Sequence, residues 1–151
     1  MDLEEAYDKI YRYVYFRMKN QAIAEDITQE TFLRFIGKKG NIHVYDMRYL
    51  YTIARNLCID EYRRPKAEAL PEDYDSSMQT SDLPEERMAV RDALAKLSPE
   101  DQEILLLRHV NNEPVGTVCK ALGISRFALY RRLKSAEDSF RSSLEVETDE
   151  K

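Results

Sequence analysis

Residues 114–136 read PVGTVCKALGISRFALYRRLKSA, and the spacing of their apolar side chains decides the fold. Val115, Val118, Cys119 and Leu122 fall at i, i+3, i+4 and i+7, one face of a helix, while Leu129, Leu133, Ala136 and Phe140 form a second stripe of the same kind. Gly123 stands between them, at the point where a left-handed backbone must stop one helix before the next begins, and Ile124 can fill the corner. Pro114 suits the start of the first helix and Ser125 can cap the second. The segment is predicted to be a helix-turn-helix.

The outer face of its second helix carries the chemistry. At about 100° per residue, Arg126, Phe127, Tyr130, Arg131 and Lys134 share one arc, and residues 124–136 hold four basic side chains and no acid. Such a face suits the major groove of DNA: cations for phosphates and guanine edges, aromatics for thymine methyl or sugar contacts. The same pattern also fits a packing helix with a solvated basic face.

Outward from this unit the chain stays helical in pattern. Towards the N-terminus, Ser98-Pro99 followed by Glu100 and Asp101 starts a helix over 99–110, which Asn111-Asn112 ends, and another is predicted over 85–97. Beyond the helix-turn-helix, the last helix is predicted to stop near Leu144, leaving 145–151 as an acidic tail whose four acids in seven residues favour disorder. Residues 65–84 (PKAEALPEDYDSSMQTSDLP) hold three prolines, five acids and one base with no apolar stripe, and read as a flexible acidic linker. Before it, three helices are predicted over 3–18, 23–36 and 46–64. The first places Leu3, Tyr7, Ile10 and Val14 on one stripe. In the third, Leu50, Ile53, Ala54 and Leu57 share a face, with Arg48, Thr52, Arg55, Ile59, Tyr62 and Arg63 opposite.

Composition agrees with an all-α chain of two small helical domains, 1–64 and 85–144. Among 151 residues, 43% are hydrophobic and only four are Gly and five Pro, too few for the turns of an all-β fold. The net charge of −5 argues against DNA at first sight, but 11 bases balance 10 acids in 1–64, and the acid excess lies in the linker and the far end. Cys58, Cys119, His43 and His109 lack the short spacings of a zinc site, so neither metal nor cofactor is expected. No apolar run of about 18 residues occurs, which with the sparse cysteines suggests a reduced, cytoplasmic protein without membrane contact of its own. A Gly-rich phosphate loop, H-E-x-x-H and a nucleophile elbow are all missing, so no catalysis is expected.

The order of parts resembles a known family. AEDITQETFLR at 24–34, followed by YLYTIARNLCID at 49–60, looks like region 2 of the sigma-70 family. LSPEDQEILLLR at 97–108, followed by a helix-turn-helix with LGIS at 122–125, looks like region 4. With a linker between them and no regions 1 and 3, the chain is similar to sigma factors of the extracytoplasmic-function group. The resemblance implies an initiation factor whose partners are core RNA polymerase, promoter DNA and an anti-sigma factor, monomeric when free. It implies that Asp26, Gln29, Glu30 and Leu33 meet the polymerase. Asn41, Tyr45, Arg48, Tyr49, Arg55 and Asn56 would read and hold open the −10 element, with Tyr45, Tyr49 and Tyr51 as stacking platforms. Arg126, Phe127, Tyr130, Arg131 and Lys134 would read the −35 element as duplex. The family usually has acids where Gly116 and Thr117 stand, Trp at Tyr49, and Thr, Lys and Arg at Ala128, Tyr130 and Ser135. The lost cations imply weak phosphate contact and reliance on tethering through polymerase. The competing reading is a stand-alone dimeric helix-turn-helix regulator, for which no heptad or apolar surface stripe supplies a dimer interface.

Overall fold

The computed structural model describes residues 2–39, 46–65 and 85–149. These form helices α1 (Leu3–Met18), α2 (Gln21–Lys39), α3 (Met47–Arg63), α4 (Glu85–Ala95), α5 (Pro99–Leu105), a π-helical turn (Leu106–Val110), α6 (Val115–Leu122) and α7 (Arg126–Asp149), with no strand among the described residues. They gather into two compact units. One holds α1–α3; the other holds α4, α5, the π turn, α6 as far as Cys119, and α7.

In the first unit each helix start has a side-chain cap. The Asp2 carboxylate accepts from the Glu5 N–H at 2.8 Å, Asn20 accepts from the Ile23 N–H at 2.9 Å, and Asp46 accepts from the Arg48 N–H at 3.0 Å. Between α1 and α2, Lys19 adopts a left-handed φ of 57° and its N–H closes onto the Tyr15 carbonyl at 2.8 Å, so only two residues separate one helix from the next. The three helices pack pairwise. Their interior is Ala6, Ile10, Tyr13 and Val14 of α1, Ala24, Ile27, Phe32 and Phe35 of α2, and Met47, Leu50, Tyr51, Ala54 and Cys58 of α3. Thr28 and Thr31 are also buried, at no polar cost, because each hydroxyl donates to the carbonyl four residues back at 2.7 Å. Tyr7 stacks on Phe32 and Tyr13 meets Tyr51 edge-on.

Two stripes differ from the sequence expectation. In α1 the buried set is 6, 10, 13 and 14, and Leu3 at the first helical position lies exposed. In α3 the buried set is 47, 50, 51, 54 and 58, so the face is rotated toward Tyr51, and Ile53 and Leu57 sit at its margins, half-buried. A tyrosine buries more apolar area than either aliphatic residue, and with ten tyrosines in the chain the aromatic contribution sets the phase.

In the second unit the Ser98 hydroxyl accepts from the Asp101 N–H at 3.2 Å, with Pro99 at the first helical position. Ile104, Leu105, Leu106 and Leu107 are buried in succession, which takes in the whole circumference of a helix. There the backbone widens: the Asn111 N–H bonds the Leu106 carbonyl five residues back at 2.8 Å, so the single helix expected over 99–110 is α to Leu105 and π beyond. The spacing of the apolar residues carries no mark of this wider turn. α4 and α5 pack on α7, whose interior side chains are Leu129, Leu133 and Ala136. The helix continues to Asp149, past the stop expected near Leu144. Propagating an existing helix adds one hydrogen bond per residue fixed and does not require a buried face. The linker beyond Pro65 and the last two residues of the tail lie outside the described residues.

Candidate functional site

Two surfaces, one on each unit, collect the side chains singled out by the sequence. On α2 the interior positions 24, 27, 28, 31, 32 and 35 leave a contiguous outer face on which Asp26, Gln29 and Leu33 are exposed and Glu30 is half-exposed. Leu33 keeps 66% of its surface in water. Glu30 pairs with Arg34 at 2.8 Å, an exposed i, i+4 pair that contributes little to stability and is therefore easily exchanged for another cation. Ile36, 49% exposed, extends the same face one turn further. Sequence reading ended the helix at this residue and so missed it; the 3, 4, 3 spacing of 26, 29, 33 and 36 is the signal that would have included it.

At the start of α3, Asp46 and Arg48 form a local pair, with Arg48 Nε 3.3 Å from the carboxylate. Burial alone would push the Asp46 carboxyl up. The Arg48 hydrogen bond and charge, with backbone N–H groups of Arg48 and Tyr49, outweigh it and hold the group below the ordinary carboxylate range. Arg48 and Asn56 are exposed, whereas Tyr49 and Arg55 are half-buried. Tyr49 packs edge-on against Phe35, 6.3 Å between centroids, so one side of its ring is braced by α2. Tyr51 is not part of this surface. It is fully buried against Tyr13 and cannot serve as a stacking platform without unfolding the unit. Asn41 and Tyr45 lie outside the described residues.

α6, the turn and the start of α7 are arranged as the glycine and cap signals require. Gly123 has φ 68°, the Ile124 N–H reaches back to the Cys119 carbonyl at 3.1 Å, and Ser125 Oγ accepts from the Ala128 N–H at 3.1 Å. With Leu129, Leu133 and Ala136 turned inward, Arg126, Phe127, Tyr130, Arg131 and Lys134 all emerge on the outer side. The Arg131 guanidinium carbon lies 5.8 Å from the centroid of the Phe127 ring, and Lys134 pairs with Asp138 at 3.6 Å. A Cβ placed on Gly116 would lie 3.8 Å from Arg126 Nη2, so this arginine runs beside the start of α6. One turn beyond the basic face, His109 Nε2 meets Glu137 at 2.7 Å and ties α7 to the π turn. Among the described residues no helix is long and apolar enough to cross a membrane.

The described residues are helical, with an acidic and apolar helix face on one unit and an exposed basic helix after a tight turn on the other. Residues 3–68 match the family model "Sigma-70 region 2" and residues 87–137 match "Sigma-70, region 4". The chain belongs to the sigma-70 family, in its extracytoplasmic-function (ECF) group. It is similar to the ECF RNA polymerase sigma factor BldN of Streptomyces coelicolor, 32% identical over 81% of this chain and 51% of that protein. It is also similar to the ECF RNA polymerase sigma factor SigE of Mycolicibacterium smegmatis, 30% identical over 95% and 60%. The chain thus spans between half and two thirds of the length of these relatives. Its fold is like that of the sigma factor RpoE in a complex with the anti-sigma factor NepR from Bartonella quintana, with a TM-score of 0.68 and 18% identity over 95% of this chain and 94% of that one.

Proposed function

We propose that this chain is a transcription initiation factor that binds core RNA polymerase and directs it to promoters by reading −10 and −35 elements. Residues 1–64 form the domain that docks on polymerase and opens the −10 element, 85–144 form the domain that reads the −35 element, and 65–84 join them. The observation that carries this reading is the division of labour between two faces: exposed Asp26, Gln29 and Leu33 on α2, and exposed Arg126, Phe127, Tyr130, Arg131 and Lys134 on α7. An acidic rim around an exposed leucine suits a basic helix on a protein partner. A basic, aromatic helix face following a tight turn suits the major groove.

Opening the −10 element needs no covalent step, and the chain acts in the cytoplasm without catalysing a reaction. Extruding a base costs a few kcal/mol, which stacking and hydrogen bonds to its edge offset. Tyr49, braced by Phe35, and Asn56, exposed two α3 turns further along, supply those contacts, with Arg48 exchanging its weak pairing to Asp46 for a phosphate. With a net charge of −5, the free protein binds promoter DNA poorly, and docking on polymerase supplies the effective concentration that makes both contacts productive. An anti-sigma protein that covers either face would silence it. In vitro transcription from a randomised promoter library, with core polymerase and with or without this chain, tests the reading. Start sites that need the chain and share two separated elements support it. A folded chain that neither binds core nor changes initiation overturns it and returns the dimeric regulator.

A further inference from the structure

Phe127 is the most exposed of the large hydrophobic side chains among the described residues, with 77% of its surface in water, and it stands in the first turn of α7. Holding a phenyl ring in solvent gains nothing for the fold: Leu129, Leu133 and Ala136 already fill the inward side of this helix. The ring's surroundings are cationic. Arg126 and Arg131 flank it in sequence and on the helix surface, Arg131 with its guanidinium carbon 5.8 Å from the ring centroid, and residues 124–136 contain no carboxylate. An apolar disc set in positive charge does not fit an apolar pocket on a protein, where the arginines would have to be desolvated. It fits an anionic surface that carries isolated apolar points. The major groove of DNA is such a surface, its apolar points being the C5 methyl groups of thymine.

We infer that Phe127, braced by Arg131, reads a thymine methyl group in the −35 element and so sets a thymine requirement at one position of that element. This rests on the proposed function and adds to it the chemical group that is recognised. Position and geometry agree: the first residues of a recognition helix are those that reach base edges, and Ser125 fixes where that helix starts by capping the Ala128 N–H. A methyl reader differs from a hydrogen-bonding reader in a measurable way, because it is indifferent to every polar group on the base.

The test uses polymerase carrying the full chain on a promoter selected from the randomised library. Each thymine of its −35 element, on either strand, is replaced singly by deoxyuridine, which removes the methyl group and leaves the pairing edge unchanged. At one position the wild-type chain is expected to lose about fourfold in initiation, the value of one methyl group removed from water. Phe127→Ala, at an exposed site where the fold is not at stake, is expected to initiate equally well from the thymine and uracil templates. Phe127→Leu, which retains an apolar contact, is expected to keep part of the discrimination. Initiation by the wild type that is insensitive to uracil at every position overturns the inference alone, as does a uracil effect undiminished in Phe127→Ala. Failure of the wild type to initiate from any template overturns the functional reading as well.

Discussion

Tyr51 of α3 meets Tyr13 of α1 edge to face, 5.5 Å between ring centroids at an interplanar angle of 77°, with both rings buried. This contact joins the first and third helices of the first unit through the two largest fully buried side chains among the described residues. Tyr51→Ala is expected to cost about 3 to 5 kcal/mol of stability, the range for truncating a buried aromatic ring. Urea unfolding followed by circular dichroism measures it. A loss below about 1 kcal/mol would place the ring outside the core and return it to the proposed −10 surface.

Asp46 links fold and site through protonation. Its carboxyl is held below the ordinary range, so the native state favours the ionised form more than the unfolded chain does. The stabilisation is therefore present above the unfolded value of about 3.8 and is lost as pH falls through the lower folded value. Asp46→Ala is expected to cost about 1 kcal/mol at neutral pH, from loss of the α3 cap. Denaturation across a pH series checks the sign: the gap between the two proteins stays level from pH 7 down to about 5 and narrows at lower pH.

Much of this molecule is legible in its sequence, and what is not has identifiable causes. The bounds of α1 agree with the stripe that Ile10 and Val14 continue, and the Asp2 cap fixes its start. Gly123 and Ser125 announced the turn before α7. The face of α3 was not legible, because Leu50 and Ala54 fit two neighbouring phases and only the tertiary contact of Tyr51 with Tyr13 chooses between them. The π turn after Leu105 escaped for a related reason: four consecutive apolar residues give periodicity nothing to measure. For the sites, residue type and spacing placed the exposed sets on α2 and α7. Which of Tyr45, Tyr49 and Tyr51 faces outward depended on packing, and the structure removes Tyr51.

Leu33 separates surface from core on α2. Since its side chain is largely in water, Leu33→Ser is expected to change folding stability by no more than about 0.5 kcal/mol. If the α2 face docks on polymerase, the same substitution weakens core binding about tenfold, the effect of truncating one interface anchor. Ile36→Ser, one turn along, is expected to act in the same direction. Competition for core polymerase against the unsubstituted chain gives the ratio directly. Unchanged binding by both variants would take the α2 face out of the interface.

If the outer face of α7 reads the −35 element as proposed, Arg131 is where base reading and phosphate contact can be told apart. Its side chain lies beside Phe127 on the outer side of α7, and a guanidinium in that place can bond a guanine edge with two parallel N–H groups or meet a phosphate as a charge. The two roles leave different signatures. A base reader loses discrimination at one promoter position, about 1 to 3 kcal/mol for a bidentate pair, with other positions unaffected. A phosphate contact loses affinity uniformly across sequences and lowers the salt dependence of binding by about one counterion. Placement near the N-terminal end of the proposed recognition helix favours the first. Arg131→Ala is accordingly expected to relax one −35 position while leaving the salt slope almost unchanged. Arg131→Lys, which keeps the charge but not the fork, is expected to resemble Arg131→Ala in specificity and the wild type in salt dependence. Initiation from the randomised library at two salt concentrations reads both quantities together. A lysine variant with full wild-type specificity would assign Arg131 to the phosphate backbone.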